Sequence, residues 1–387
     1  MPLINRAHEM QQHVAEWRHH LHENPEILYD VHQTSAFVAE KLREFGCDTI
    51  ETGIGQTGVV GLVRGRHGEG PVIGFRADMD ALPITEASGK PWASKTLGKM
   101  HACGHDGHTA MLLGAAQYLA ETRNFRGTIV LIFQPAEEGG AGARAMIDDG
   151  LMDRFAIGEV YGMHNAPGLP VGQFATRKGS IMAATNEFEI TVTGRSGHAA
   201  KPHTAIDPVV ISAHIILALQ SIVSRETDPL KALVVSVTQL NGGDATNVIP
   251  DVIKLGGTVR TLVPEIREFA QKRLTEIVES TAAVFGGKAE VVYHQGYPVT
   301  FNHDRETDFA IGIAQTIVGE AAVNTTMPPV MGAEDFSYML ESRPGAFVFL
   351  GNGDTPGLHN SAYDFNDDAI PYGISYWVSL AETALAA

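Results

Sequence analysis

The stretch at residues 100–109, MHACGHDGHT, concentrates five side chains that can bind metal or transfer protons within eight positions. Cys103 and His105 are two residues apart, so both can face one ion from an extended or turning loop. A thiolate and an imidazole together suit a borderline or soft divalent metal such as zinc. The same stretch also fits a polar helix N-terminus, in which His and Asp cap free amides and Cys103 packs. Further ligands elsewhere in the chain must decide between these interpretations.

Polar side chains follow the predicted ends of several apolar strands elsewhere in the chain. The strands and their polar residues are 72–75 with Asp78 and Asp80, 128–133 with Glu137 and Glu138, 159–164 ending on His164, and 346–351 with His359. An open α/β sheet binds its ligands at the carboxyl ends of its parallel strands. We therefore expect these residues to converge with the cluster at 100–109, which precedes a helix predicted over 110–119.

Between these segments the hydrophobic pattern changes. It predicts, in order, a strand at 186–193, a helix at 205–225, strands at 233–240 and 252–261, a helix at 264–285 and a strand at 288–294. The order βαββαβ is that of a split ferredoxin-like unit. The predicted fold class is therefore α/β: a mixed-sheet α/β catalytic domain, formed by residues 1–183 and 295–387, with an inserted ferredoxin-like (βαββαβ) lid at 184–294.

Composition bounds the partners that this chain can bind. At 387 residues it is long enough for two domains, and 44% hydrophobic residues with 41 glycines suit a soluble α/β protein. Lys+Arg number 28 and Asp+Glu 45, and the formal net charge of −17 argues against nucleic acid and anionic membranes. We expect a cytoplasmic protein, because the chain has two cysteines, no apolar segment at its start and no apolar run that approaches a membrane span.

Glu137 and Glu138 are adjacent carboxylates that follow a predicted buried strand. Such a pair is often no more than two solvated charges in a surface loop. Here Pro135 and the glycines that follow the pair predict a tight turn, and adjacent side chains point in different directions. One carboxylate can then bind metal while the other holds a water as general base, which is what metal-assisted hydrolysis needs.

A closed set of ligands for two metal ions can be assembled from Cys103, His105, Glu138, His164 and His359. Taken singly, His164 and His359 fit capping or packing roles better than metal binding, and their value as ligands is joint. Two tetrahedral ions need about eight ligand positions. A bridging Cys103 counts twice and brings the protein's share to about six, and a shared water fills the remaining two. The two expected ions are both divalent, with zinc or manganese as the expected metal and cobalt or nickel as alternatives.

Ordered motifs along the whole chain carry a family resemblance. They are RHHLHENPE, FRADMDALP, MHACGHDGHTAMLLGAA, FQPAEEGGAGA, GMHN, SGHAAKPH, NVIP, GTVR, MGAEDF and LHNSAYDF. On these motifs the chain resembles the bacterial hippurate hydrolase and N-acyl-amino-acid amidohydrolase group, within the larger aminoacylase and glutamate carboxypeptidase-like family of dinuclear metallopeptidases. The resemblance implies metal binding by the five residues above, with Glu137 as the base.

The resemblance also implies roles for residues of the lid. His198 would stabilise the tetrahedral oxyanion, and Asn247 and Arg260 would bind the substrate's carboxylate. These roles suit the side chains, because an imidazole can donate to developing charge and a guanidinium forms two parallel hydrogen bonds to a carboxylate. The lid is further implied to form a homodimer, in which His198 serves the active site of the partner chain.

One motif departs from the wider family. Where that family has His-x-Asp, this chain has Asp78-Met79-Asp80, so a ligand imidazole is missing and His105 is expected to supply one instead. Asp80 is then expected to orient a ligand or polarise the water. For Asp78, metal contact and no metal contact both stay open.

These observations predict a dinuclear-metal amidohydrolase that cleaves the amide bond of an N-acyl amino acid, hippurate-like or N-acetylated, into a carboxylic acid and a free amino acid. A dipeptidase or an aminobenzoyl-glutamate hydrolase with the same metal site is the alternative within this chemistry. A thiol hydrolase with Cys103 as nucleophile would leave the glutamate pair without a purpose. A non-catalytic protein that binds metal or amino acids would need ligands but no base at Glu137.

Overall fold

The computed structural model describes residues 4–386, which fold into two compact units. The helices in chain order are α1 (Asn5–Glu23), α2 (His32–Glu44), α3 (His105–Thr122), α4 (Gly142–Asp148), α5 (Leu151–Arg154), α6 (Pro208–Ser221), α7 (Pro264–Val284), α8 (Asp304–Val318), α9 (Ser337–Ser342) and α10 (Ile370–Ala384). The strands are β1 (Thr49–Ile54), β2 (Gly58–Arg64), β3 (Val72–Asp78), β4 (Thr128–Gln134), β5 (Glu159–Pro167), β6 (Phe174–Ala175), β7 (Gly179–Met182), β8 (Ala184–Thr193), β9 (Gly197–His198), β10 (Leu233–Asn241), β11 (Val248–Ile249), β12 (Val252–Thr261), β13 (Lys288–Gln295), β14 (Thr300–Asn302), β15 (Val323–Asn324) and β16 (Gly345–Gly353).

The first unit consists of the described residues up to Ile181, Phe301–Pro328 and the described residues from Asp335 onward. It contains an eight-stranded mixed sheet in the order β1-β2-β4-β3-β5-β16-β6-β15. The central strands β4, β3, β5 and β16 are parallel to one another, whereas β1 and β2 pair antiparallel. Because the four central strands share one direction, the loops after them meet at the same edge of the sheet.

Apolar sequence makes the central strands a buried layer. Strand β4 reads TIVLIFQ, and every residue after Thr128 is buried, as expected for a strand covered on both faces. Helix α3 packs on β3 and against α10. The rings of Phe75 on β3 and Trp377 on α10 stack with centroids 4.9 Å apart. The loops at the edge of the sheet therefore rest on a closely packed support.

Helix α3 begins at His105, earlier than the sequence pattern predicts. Gly104 precedes it with a φ of +90°, and a Cβ at this position would lie 2.3 Å from Asn165 Nδ2 and 2.5 Å from Tyr363 Oη. Only glycine fits this turn, because other residues would clash and rarely adopt this φ. The second half of the stretch at 100–109, predicted as a loop, is therefore helical, and His105 and His108 lie on one face of its first turn.

The second unit consists of Met182–Thr300 and Pro329–Glu334, whereas the predicted boundaries are 183/184 and 294/295. Its elements follow in the order βαββαβ: β8, α6, β10, β12, α7 and β13. They form an antiparallel sheet in the order β10-β12-β8-β13. Apolar residues of both helices, among them Ile215 and Leu274, pack with those of the sheet in one core.

One helix of the second unit corrects an expectation about membrane spans. Pro208–Glu226, which is α6 with the helical turn after it, is long and apolar enough to cross a membrane by length and composition, with a mean hydropathy of 1.5. Polar residues interrupt this run, so the sequence pattern alone did not single it out. About a third of the window, 33%, is buried in the unit, including Ile211 and Ile215.

Candidate metal centre

The five side chains predicted as metal ligands lie together beyond the carboxyl ends of the parallel strands. They are Cys103 and His105 at the start of α3, Glu138 after β4, His164 within β5 and His359 after β16. Their ligand atoms form two groups, Cys103 with His105 and His164, and Cys103 with Glu138 and His359, and the atoms of each group lie within 4.8 Å of one another. Cys103 belongs to both groups, as a thiolate shared by two ions would.

Hydrogen bonds determine which nitrogen of each buried imidazole faces this centre. His105 Nδ1 donates to the backbone oxygen of Asp80 at 2.8 Å, and His164 Nδ1 donates to the backbone oxygen of Asn165 at 2.7 Å. Each ring therefore turns Nε2 toward the centre, where it can bind a metal ion in place of a proton, and His164 Nε2 lies 3.4 Å from Cys103 Sγ. Proteins orient metal-binding histidines in this way.

Asp80 organises the turn that carries the two glutamates. Its Oδ1 accepts a hydrogen bond from the backbone N–H of Glu137 at 2.9 Å, and its Oδ2 accepts one from the N–H of Glu138 at 3.1 Å. The residue before them, Ala136, has a φ of +53°, which costs free energy for a residue with a side chain. The two hydrogen bonds from Asp80 therefore hold a strained turn in place.

Asp78 is held by other hydrogen bonds, and its Oδ2 also lies 3.6 Å from His105 Nε2. His108 Nδ1 donates to its Oδ1 at 2.6 Å, and Arg76 Nη1 donates to its Oδ2 at 2.8 Å. Although burial opposes ionisation, the charges of His105 and Arg76 hold the pKa of Asp78 well below its usual value. His108 uses its other nitrogen as well, because Nε2 accepts the N–H of Asn165 at 2.9 Å. Both oxygens of Asp78 are thus hydrogen-bonded, but Asp78, His105 and His108 also form a group whose ligand atoms lie within 4.8 Å of one another, so both readings for Asp78 stay open.

Asp335, for which the sequence predicted no role, ties the first unit together beneath the centre. Arg76 Nη2 donates to its Oδ1 at 3.0 Å, and Gln134 Nε2 donates to the same oxygen at 2.8 Å. The backbone N–H of Ala143 donates to its Oδ2 at 2.9 Å. One buried carboxylate thus joins the ends of β3 and β4 to the start of α4.

Sequence reasoning missed two residues that position Cys103. Asn165 Nδ2 donates to the backbone oxygen of Cys103 at 2.6 Å, and Tyr363 Oη donates to Asn165 Oδ1 at 2.8 Å. Both residues are buried. They stand inside the quoted motifs GMHN and LHNSAYDF, next to His164 and shortly after His359, and that proximity is the signal that could have identified them.

His359 reaches the centre from a loop and has the left-handed φ of +61°. Its N–H donates to the backbone oxygen of Ala102 at 2.7 Å, and its Nε2 lies 3.2 Å from Glu138 Oε1. The side chain of His359 is 53% exposed, whereas that of Glu138 is 11% exposed. His359 is therefore the accessible side of the centre.

The electrostatics of the centre fit divalent cations. Burial and the carboxylates of Glu138 and Glu137 hold the pKa of the Cys103 thiol well above its ordinary value. Burial by itself lowers the pKa of His105, but nearby carboxylates, Asp78 first, outweigh it and raise the pKa to about 10. His105 Nε2 is buried and makes no hydrogen bond, and the buried Glu138 Oε1 has the imidazole of His359 beside it at 3.2 Å. A cation would neutralise the surplus negative charge and would give His105 Nε2 a partner.

The predicted lid residues occupy two ends of the second unit. His198 lies in β9, and the N–H of the next residue, Ala199, donates to the backbone oxygen of Asn247 at 3.0 Å. Both predicted residues at this end are exposed. Arg260 lies along β12 from Val252, the strand end near β11, at roughly 26 Å for a rise of about 3.3 Å per residue. The structure therefore brings His198 and Asn247 together and separates Arg260 from them.

Comparison with known sequences identifies relatives over nearly the whole chain. The sequence profile of peptidase family M20/M25/M40 matches residues 74–383. A hippurate hydrolase of Campylobacter jejuni is 42% identical over 98% of this chain and 99% of its own length. An N-acetyl-L-cysteine deacetylase of Bacillus subtilis is 42% identical over 91% of this chain and 83% of its own length.

Solved structures give the same picture. A Bacillus subtilis protein described as a dinuclear metal-binding peptidase from the M20 family superposes with a TM-score of 0.86 at 34% identity, over 97% of this chain and 99% of that one. A Staphylococcus aureus protein described as a putative aminohydrolase superposes with a TM-score of 0.92 at 30% identity, over 99% of both chains.

Proposed function

This chain belongs to peptidase family M20/M25/M40 and is a metal-dependent hydrolase of amide bonds; we propose that its substrates are N-acyl amino acids and that two divalent ions serve at its centre. The family resemblance predicted from the motifs is thereby confirmed. One observation carries the proposal: Cys103 lies in two ligand groups at once, and Glu137 lies within 4.8 Å of His105 and Glu138 by ligand atoms. The substrates named for the two relatives above support N-acyl amino acids.

The residues that would hold the ions are Cys103, His105, Glu138, His164 and His359. When bound, divalent ions supply Lewis-acid activation of a water and of the substrate's carbonyl group. We propose zinc or manganese, with cobalt and nickel as competent substitutes, because thiolate and imidazole ligands suit the softer ions and carboxylate suits manganese.

Glu137 moves the proton in this proposal. One oxygen of its carboxylate accepts a proton from the attacking water as the water oxygen adds to the carbonyl carbon of the amide. The same carboxyl group then delivers that proton to the amide nitrogen, and the C–N bond breaks. The acyl group leaves as a carboxylic acid and the amine as a free amino acid. Asp80 keeps the base in position through its hydrogen bond to the N–H of Glu137.

We propose that the second unit is a ferredoxin-like lid that joins two chains into a homodimer. His198 and Asn247 lie roughly 26 Å of strand from Arg260, so one lid cannot place all three around one N-acyl amino acid. Two sites, each served by opposite ends of two different lids, accommodate all three residues. Exposed apolar residues on α6, such as Val210 and Leu217, supply a surface that a second copy can cover.

A thiol mechanism is disfavoured by the same geometry. The pKa of Cys103 is held well above its ordinary value, because the thiol is buried among carboxylates, and a protonated thiol is a poor nucleophile. A dipeptidase or an aminobenzoyl-glutamate hydrolase would use the same metal-binding residues, so only substrates can separate these activities from the proposed one.

Partners and location follow from composition alone. We propose a small-molecule substrate and no nucleic-acid or membrane partner, since the net charge of −17 repels phosphate backbones and anionic lipids. A cytoplasmic location stays a prediction, supported by a chain that has two cysteines.

The decisive experiment couples metal removal to a substrate panel. The protein as purified is analysed for metal, dialysed against chelator and reloaded with zinc, manganese or cobalt. Its hydrolysis of benzoyl-, acetyl- and indole-acyl amino acids is then compared with that of dipeptides and aminobenzoyl-glutamate. We expect no activity without metal, recovery on reloading and a preference for N-acyl amino acids.

Two outcomes would contradict the proposal. Full activity in thoroughly demetallated protein would rule out metal-assisted hydrolysis and favour the thiol mechanism. In that case alkylation of Cys103 should abolish the activity by itself, independently of metal content. A metal-dependent preference for dipeptides would keep the centre but replace the substrate class.

A further inference from the structure

The motif RHHLHENPE at residues 18–26 has no part in the mechanism above. Two of its members, Arg18 and His22, are one helical turn apart on α1 and therefore share a face. Both are buried, with 0% of each side chain exposed. Burying an arginine beside a histidine costs folding free energy unless carboxylates compensate the charge. The acidic partners of the pair therefore indicate its role.

Arg18 contacts acidic residues from two separate segments. Its Nε donates to Asp367 Oδ1 at 2.9 Å, and its Nη1 donates to Asp364 Oδ1 at 3.1 Å. The same Nη1 lies 3.7 Å from Asp106 Oδ2. The guanidinium also lies over the ring of Trp92, 4.9 Å from the centroid. One planar cation thus joins the segment beyond β16 to the start of α3.

His22 extends the same network. Its Nδ1 lies 2.8 Å from Asp106 Oδ2, and its Nε2 lies 3.2 Å from Glu86 Oε1. Burial by itself lowers the pKa of His22, but Asp106 outweighs it by charge and by hydrogen bonding, with help from Glu86, and raises the pKa to about 9. His22 is therefore a cation at neutral pH, and Asp106 receives positive charge from both members of the pair.

The acids held by this pair flank two of the residues assigned to metal binding. Asp106 is the neighbour of His105 in the first turn of α3, and Asp364 and Asp367 follow His359 in the segment before α10, where Asp367 begins a short 3-10 helix. His359 lies outside regular structure and has a left-handed φ, so its position depends on contacts made elsewhere in its loop. The network therefore connects both ligand-bearing segments to α1.

We propose that Arg18 and His22 are positioning residues, which fix the distance between the segments carrying His105 and His359 and thereby set the affinity of the centre for divalent metal. This inference rests on the proposed function only in that these two histidines bind metal. Neither residue of the pair touches the ligand atoms, so both act through the backbone of α3 and of the loop beyond β16.

The charge balance predicts which substitutions matter. Arg18→Lys keeps the charge but loses the planar fork that reaches several acids at once. His22→Gln keeps a side chain of similar size but removes the positive charge. Residues that orient metal ligands directly cost about 10–100-fold in metal affinity when they are replaced. We expect the lower end, about tenfold for each variant, because this pair acts one step further out.

The control is His13→Gln on the same helix. His13 Nε2 lies 3.1 Å from Gln117 Oε1, so it also joins α1 to α3, but it does so far along α3 from the first turn. Its replacement removes a contact between the same two helices and leaves the acids around Arg18 intact.

The experiment titrates demetallated wild type and the three variants with Co²⁺ in competition with a chelator. The cobalt d–d absorption bands, which report ligand geometry, are recorded with the thiolate charge-transfer band. We expect about tenfold weaker binding and shifted d–d bands for Arg18→Lys and His22→Gln, with His13→Gln as wild type. Thermal unfolding of the metal-free proteins separates this effect from a loss of stability, which alone would leave the bands unchanged.

The outcomes are distinct. A wild type that binds no Co²⁺ would overturn the metal assignment and this inference together. A normal wild type with variants that bind Co²⁺ as tightly as His13→Gln does, with the same bands, would overturn this inference alone. If Arg18→Lys fails to fold, Asp367→Asn makes the same test from the other end of the contact, since its side chain is 24% exposed and tolerates change more readily.

Discussion

The polar residues of the first unit and those of the second differ in how completely the chain supplies their partners. In the metal centre, the imidazoles of His105 and His164 each make a hydrogen bond that fixes the ring, and Asp80 holds both glutamate backbones. In the second unit, His198 and Asn247 are exposed. The first set is preorganised within one chain, whereas the second set is open to solvent. Under the proposed function, substrate and a second copy of the chain would supply its partners.

The adjacent glutamates give the largest effect and test the first half of this comparison. Glu137→Gln should keep the metal and lower kcat about a thousandfold, because the proton acceptor and donor is gone while the ligands remain. Glu138→Gln should instead lower metal occupancy, since it removes a ligand. Metal content and kcat, measured together on each variant, check the assignment.

Asp80 binds the backbone N–H groups of both glutamates, so the turn should stay in place when one of their side chains is replaced. A change in activity or metal content can then be assigned to the replaced carboxylate. Each variant is therefore the other's control. Near wild-type rates with full metal in both variants would mean that neither carboxylate does what we assign to it.

The grouping of the predicted ligands was largely predictable from sequence, because three of the five, Glu138, His164 and His359, follow or lie within apolar strands. Residues such as Glu138 and His164 come directly after or within apolar runs, and parallel strands deliver their carboxyl ends to one edge. The start of α3 was placed too late, since Gly104 and the polar residues after it carry no apolar periodicity. The need for glycine at position 104 could not be predicted from local sequence, because it arises from the close approach of Asn165, which is distant in the chain.

Long-range contacts escaped prediction for a different reason. Arg18 pairs with Asp364 across 346 positions, and Tyr363 reaches Asn165 across 198. Such pairs leave no local pattern, because periodicity and turn chemistry report only a residue's near neighbours. The separation of Arg260 from His198 escaped as well, since it depends on the direction of β12 within the sheet.

The next prediction concerns the second half of the comparison. Arg260→Ala should raise KM about 10–100-fold for substrates with a free α-carboxylate, as expected for a lost hydrogen bond to a charged group worth about 1.5–3 kcal/mol. The corresponding substrate amides have no charge to pair, so their KM should change much less. Steady-state kinetics on matched acid and amide substrates measure the difference. An equal rise on both would assign Arg260 to the fold of the lid, where it already contacts Thr258.

The smallest predicted effect is recovery to an activity about fourfold below wild type. It tests whether His198 of one chain serves the metal centre of the other chain. A Glu137→Gln chain has an inactive centre and an intact His198, and a His198→Ala chain is the reverse. If His198 serves the partner's site, a mixed dimer has one site with both residues intact, which neither homodimer has. Random re-pairing makes about half of the dimers mixed, with one of two sites working, so activity should recover to roughly a quarter of wild type.

The length of the lid sheet supplies the matched control. Arg260 lies at the end of β12 away from His198, roughly 26 Å along the strand, so the two residues should serve different sites. At substrate concentrations far below KM, mixing Glu137→Gln with Arg260→Ala should therefore give no recovery beyond the residual rate of Arg260→Ala, because the chain with the intact base also carries the defective Arg260 end. Recovery in both mixtures would place the whole lid over the partner's centre, and recovery in neither, with mixed dimers verified, would return His198 to its own chain or remove it from catalysis.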